Sequence, residues 1–171
     1  MLDDVTLARI VHVLAVVLWI GGVAFVTSVL LPAVRRIKSP HERIAFFAQV
    51  ERRFAWQARV TTMLAGVSGL YMIERLNLWS RFSSAQFWWM HAMIGVWALF
   101  TFMLFVAEPL FLHEYFIRRA AMHPDSTFRI VQVMHWLLLL ASLIALAGAL
   151  AGAHGASLFA SELAFGRGVA G

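Results

Sequence analysis

The sequence predicts an all-α integral membrane protein, an up-down-up-down bundle of four transmembrane helices with both termini outside. Three observations predict it. Of 171 residues, 61% are hydrophobic and only 13% charged, against roughly one-quarter charged in a soluble domain. Four apolar runs are each long enough to cross a bilayer, which takes about 20 helical residues. The arginines and lysines gather in alternate connectors, as the positive-inside rule requires.

The first span covers about 5–31 and is interrupted only by Arg9 and His12; it stops at Pro32 before Arg35, Arg36 and Lys38. Asp3 and Asp4 precede it and no A-x-A-like site follows, which separates it from a signal peptide. Ser39-Pro40-His41-Glu42 reads as an N-cap, a proline in the first helical turn and a capping-box glutamate. An amphipathic helix therefore starts there and runs into the second span, about 54–73, which carries Gln57 and Arg59. The third span covers about 84–112, with Glu108-Pro109 near its end, and the fourth about 126–153 after His123-Pro124-Asp125. Residues 1–154 thus make one transmembrane domain, and 155–171 a small-residue, flexible tail.

The connector 32–53 holds Arg35, Arg36, Lys38, Arg43, Arg52 and Arg53, and the connector 113–125 holds Arg118 and Arg119. Both are expected in the cytoplasm, and a bacterial inner membrane is the expected location. The net charge of +5 is accounted for by this topology, so no nucleic acid is needed as a partner. Trp79, Trp88, Trp89 and Tyr115 suit interfacial belts. With no cysteine, disulfides, thiolate metal sites and cysteine nucleophiles are excluded.

Ionisable groups at membrane depth are costly and mark candidate function. His12 and His91 fall at the same level, roughly 10–12 Å inside the outer boundary. Two imidazoles across a bundle core are what bis-histidine haem b requires. The face His12, Ala15, Val16, Trp19, Gly22 of the first span and the face His91, Gly95, Ala98, Phe102 of the third offer small residues for a slot and aromatics for its walls, with Arg9 placed to meet haem propionates. Structural histidines with a snorkelling Arg9 are the plainer alternative. A copper set of His12, His91, His154 and the methionines Met90 and Met93 is another. His135, near the inner end of the fourth span, suits a hydrogen bond to a neighbouring helix or a quinone or porphyrin pocket. Arg59 can reach Glu108 or an anionic ligand, since an unpaired intramembrane arginine is expensive; snorkelling to lipid phosphates is the plainer alternative. Gly66, Gly69, Gly148 and Gly152 read as sites of close backbone approach.

The string His12-x6-Trp19-Ile20-Gly21-Gly22 with Leu31-Pro32, then Glu51-Arg52-Arg53 leading to Gly66-x-x-Gly69-Leu70, then Trp89-Met90-His91-Ala92-Met93, resembles, in order, the first three spans of the superfamily that holds HemJ-type protoporphyrinogen oxidases and CopD-type copper-resistance membrane proteins. The resemblance covers roughly residues 7 to 100. It implies a small helical bundle binding haem b, with His12 and His91 at the positions of the family's prominent histidines and Arg35 or Arg36 at its arginine after span one. Met93 stands where the HemJ pattern has lysine, and Pro32-x-x-Arg35 where it has Pro-Arg. The expected function is electron transfer or oxidoreduction through one haem between spans one and three, with a quinone, a porphyrin or a redox protein as partner. Copper handling and protoporphyrinogen oxidation are the alternatives, and a homo-oligomer is left open.

Overall fold

In the computed structural model, residues 2–155 are described and almost all are helical. Four long helices carry the fold: α1 (Asp4–Arg35), α2 (Pro40–Arg75), α3 (Ala85–Leu112) and α5 (Pro124–Ala153). A short helix, α4 (His113–Met122), prolongs α3. The expected tail falls almost wholly outside the described residues.

Helices α1, α3 and α5 are long and apolar enough to cross a membrane by length and composition. Helix α2 is not in that class: Gln57 and Arg59 lower the hydropathy of its second half, and its first half carries Arg43, Glu51, Arg52 and Arg53. Its 36 residues extend about 54 Å at 1.5 Å per residue. Thus it is long enough for an apolar 54–73 segment and a charged overhang together.

The helix ends follow from local chemistry. Asp3 caps α1, its Oδ1 accepting from Thr6 N at 2.6 Å. The expected start at Ser39 is found, with the Ser39 hydroxyl accepting from Glu42 N and Pro40 in the first turn. Helix α2 closes with a Schellman turn: Asn77 takes φ 52°, Leu78 N donates to Ile73 O and Asn77 N to Glu74 O. Asparagine is one of the few residues with a side chain that enters this left-handed region readily.

Helices α1 and α3 lie diagonally; each packs along both α2 and α5, the closest pairs being α1 with α2 and α3 with α5. Two apolar layers fill the interior. One joins Ala15, Trp19, Val23, Ala65, Phe100 and Leu139. Within it Trp19 meets Phe100 edge-on across the diagonal, ring centroids 4.9 Å apart, a favoured aromatic geometry. The other is built on Val26, Leu30, Leu31, Val34, Phe47 and Phe128, and the rings of Phe47, Phe116 and Phe128 touch pairwise there.

Each end of the bundle is tied by charge. At one end Arg43, itself buried, donates from Nη1 to Asp125 Oδ1 at 2.6 Å and from Nε and Nη2 to Ile37 O. At the other, Arg75 Nη2 and Tyr71 Oη both donate to Asp4 Oδ2, at 2.6 and 2.8 Å. Between these ends large apolar side chains point outward, among them Val13, Val17 and Leu18 of α1 and Leu137, Leu140 and Leu143 of α5. A surface this apolar suits lipid contact.

The glycines expected to let backbones approach receive rings instead. A Cβ on Gly66 would stand 2.5 Å from the Trp97 indole, and one on Gly69 3.2 Å from His12 Cε1. Gly148 and Gly152 likewise seat Trp88 and Trp89. Bulky side chains reach further than a neighbouring backbone does, so they occupy the notches first.

Candidate functional site

The face of α1 expected to line a slot does turn inward: Ala15 and Trp19 are buried, and His12, Val16 and Gly22 half-buried. The His12 Nδ1–H donates to Ala65 O at 2.9 Å, with Ser68 Oγ 3.2 Å away. That fixes the ring against α2 and leaves Nε2 with its lone pair. Such an anchored ring has the orientation of a metal-ligating histidine, whose second nitrogen is commonly held this way.

The matching face of α3 does not turn inward. His91, Gly95, Ala98 and Phe102 are all exposed, and the His91 ring lies edge-on to Phe82, centroids 5.3 Å apart. A Cβ built on Gly95 meets nothing within 4 Å. The inward line of α3 is one residue out of phase with the expected one and runs through Met90, Phe100 and Ala107, all buried, and the half-buried Trp97, whose Nε1 donates to Thr62 O at 2.9 Å. Burying an indole and a phenyl ring removes far more apolar area from water or headgroups than burying Gly95 and Ala98 would.

One further part of the expected haem slot is otherwise used. Gly22 is covered by Phe54, whose Cε2 would stand 2.5 Å from a Cβ there. Arg9 is exposed. The residues therefore do not fit a haem held by His12 and His91 between α1 and α3: one ligand is turned inward, its partner outward, and the slot is filled.

The copper set is dispersed as well. His154 is exposed and its Nδ1–H donates to Leu150 O of its own helix; Met90 is buried while His91 is exposed. Among the described residues no three His, Asp or Glu side chains come together in a way that could hold a metal ion. His135 also bonds within its own helix, Nδ1–H to Val131 O at 2.9 Å, rather than to a neighbour. The carbonyl one turn back lies within easy reach of an imidazole and needs no second helix.

What the fold does bring together is the pair Arg59 and Glu108. Arg59 Nη2 donates to Glu108 Oε2 and Arg59 Nε to Leu104 O at 3.0 Å, joining α2 to α3. Their side chains are 28% and 23% exposed, so the pair is neither solvated nor sealed. It forms one wall of a cleft of about 560 Å³ that is also lined by Ala48, Gln49, Glu51, Arg52, Ala55 and Pro109. The cleft thus combines an apolar flank, two arginines and two carboxylates at the end of the bundle where the basic connectors gather. Sequence reasoning found the pair but not Gln49 and Arg52, which share the helical face of Arg59 at three- to four-residue steps; that spacing was the available signal.

Around the pair, the backbone of α3 is irregular. Met103–Leu112 winds as a π-helix with Pro109 inside it. A shorter π-helical stretch, Val26–Leu30, interrupts α1 just before Pro32. Such wide turns leave carbonyls aimed at neighbouring helices and are frequent at functional sites. No family model, no curated protein and no solved structure matches the chain.

Proposed function

We propose that the chain is an integral membrane protein that binds a quinone-like or porphyrin-like amphiphile in the cleft beside Arg59 and Glu108. In this reading residues 54–73 form a fourth span, both termini lie outside, and the cleft opens at the inner leaflet of a bacterial plasma membrane. The observation that carries the reading is the Arg59–Glu108 pair standing in the wall of a cleft of about 560 Å³. The cleft is open on one side and lined mostly by polar and charged side chains, with Ala48, Ala55 and Pro109 as its apolar part, which suits an amphiphile seated with its polar head at the ion pair. An intramembrane ion pair is retained at a cost, which favours a use beyond packing.

The pair suits a head group that carries hydrogen-bond acceptors, with a hydroxyl or ring N–H where a quinol or porphyrin supplies one; toward an oxidised quinone Glu108 acts by holding Arg59. Arg59 would donate to a carbonyl or carboxylate oxygen, and Glu108 would accept from a hydroxyl or ring N–H. The apolar body would lie against Ala48 and Ala55.

The test is a titration of detergent-purified protein with decylubiquinone and with protoporphyrin IX, read by quenching of tryptophan fluorescence. At least one probe should bind saturably, and Arg59→Leu and Glu108→Gln should each weaken it about tenfold or more, the loss expected when one charge-assisted hydrogen bond is removed. Quenching that is non-saturable, or that matches the parent's in both variants, would overturn the proposal. The same preparation decides the haem expectation, because a b-type haem bound by this chain gives sharp reduced-state visible bands that His12→Ala would abolish.

A further inference from the structure

Two of the polar side chains that cross between helices end on carbonyls of the same special kind. In the π-helical stretch of α1, Leu31 N donates to Val26 O, a bond five residues long. The next bond in that register would run from residue 32 to Thr27 O, but residue 32 is proline and has no N–H. Gln132 Nε2, from α5, donates to Thr27 O at 2.6 Å in its place. In the π-helical stretch of α3 the same count leads from Leu104 O to residue 109, again a proline, and there Arg59 Nε, from α2, donates to Leu104 O at 3.0 Å. Thr27-x4-Pro32 with Gln132 and Leu104-x4-Pro109 with Arg59 are one arrangement built twice.

We infer that Pro109 is the positioning residue of the cleft: by withholding a backbone donor from Leu104 it commits Arg59 Nε to that carbonyl. The guanidinium is planar with its donors in a fixed fork. Once Nε is committed, the terminal nitrogens are aimed, and Nη2 meets Glu108. Arg59 is thereby held for a ligand rather than free to reach toward lipid headgroups. Pro32 and Gln132 apply the same device to α1, where Gln132 is buried and is not among the residues lining this cleft; that copy tests the backbone part alone. The inference about Arg59 as a ligand-holding group rests on the proposed function, whereas the pairing of each proline with its donor does not.

The experiment is a pair of double-mutant cycles on the full chain in detergent, read by thermal unfolding, together with decylubiquinone and protoporphyrin IX affinity. Arg59→Lys keeps the charge for Glu108 but has no Nε, and should lower the midpoint by about 5 °C. Pro109→Ala supplies a backbone N–H, so in that background Arg59→Lys should cost less than half as much. Gln132→Leu should be relieved by Pro32→Ala in the same way, and this second cycle decides the matter if an Arg59 variant fails to fold. Additive losses in the measurable cycles overturn the inference. On the ligand side, Pro109→Ala should keep or raise the midpoint while weakening the bound probe about tenfold; unchanged affinity overturns the positioning role. If the unmodified chain binds neither probe, the cleft reading fails, and the stability cycles still decide whether the prolines commit Arg59 and Gln132.

Discussion

Gly66 offers a sharp test of how α2 and α3 meet. The Trp97 indole lies over it so closely that a Cβ would sit 2.5 Å from three ring atoms, Cε2, Cζ2 and Nε1, and the ring cannot swing aside freely because Nε1 donates to Thr62 O at 2.9 Å. Gly66→Ala must therefore displace the indole. Overpacking of this kind costs about 1–3 kcal/mol, and loss of the indole hydrogen bond adds about 1 kcal/mol. Alanine's better helix propensity returns up to about 1 kcal/mol. The net is a loss of about 1–3 kcal/mol, or a Tm lowered by about 3–10 °C for a chain of this size. Gly95→Ala is the control: its Cβ meets nothing within 4 Å, so only the propensity gain remains and Tm should stay level or rise by about 2–4 °C. Intrinsic tryptophan fluorescence during thermal unfolding in detergent reads both. A Gly66→Ala protein as stable as the parent would refute the packing of Trp97, and a marked loss in Gly95→Ala would refute the outward phase of α3.

Other consequences are as direct. The Thr6 backbone N–H on Asp3 holds that carboxyl below its ordinary value near 3.8, so the cap's contribution is complete above the ordinary carboxylate range and is lost as pH falls through the lowered value. The midpoint of Asp3→Ala should accordingly lie below the parent's at pH 7, with the gap closing as pH falls below the ordinary carboxylate range, as an unfolding series against pH would reveal. His12→Leu removes the Nδ1 bond to Ala65 O and should destabilise by about 1–2 kcal/mol, whereas His91→Leu, on an exposed face, should change the midpoint little; equal effects would contradict the opposite orientations of the two rings. Arg43→Ala strips three donors from Asp125 and Ile37 O and should raise proteolytic nicking of the 36–39 connector, measured by limited digestion.

Much of the architecture was legible because it depends on local or additive signals. Length and apolarity marked α1, α3 and α5, and capping chemistry placed the start of α2 at Ser39. The Arg59–Glu108 pair was legible only as one of two options: the cost of an arginine at that depth demands a partner, and lipid phosphates could have served as well as Glu108. The phase of α3 was not. His91, Gly95, Ala98 and Phe102 form as regular a stripe as Met90, Trp97, Phe100 and Ala107, and in a helix apolar all round, periodicity cannot choose between them. The choice is made by which neighbours have notches, and Gly66 of α2 is the notch for Trp97. The hydrogen bond expected from His135 to a neighbouring helix is made within α5 instead, because its own helix offers a carbonyl four residues back. The link between Pro109 and Arg59 was hidden because it depends on a π-helical register that the sequence does not announce.

The central claim is that ligand binds where α2 and α3 frame Arg59 and Glu108. Photolabelling with an azido-substituted quinone, followed by peptide mapping, tests it most directly. The account predicts label within residues 48–59 and 103–112, suppressed by excess decylubiquinone and reduced in Glu108→Gln; competable label confined to peptides around His12 or His91 would contradict it.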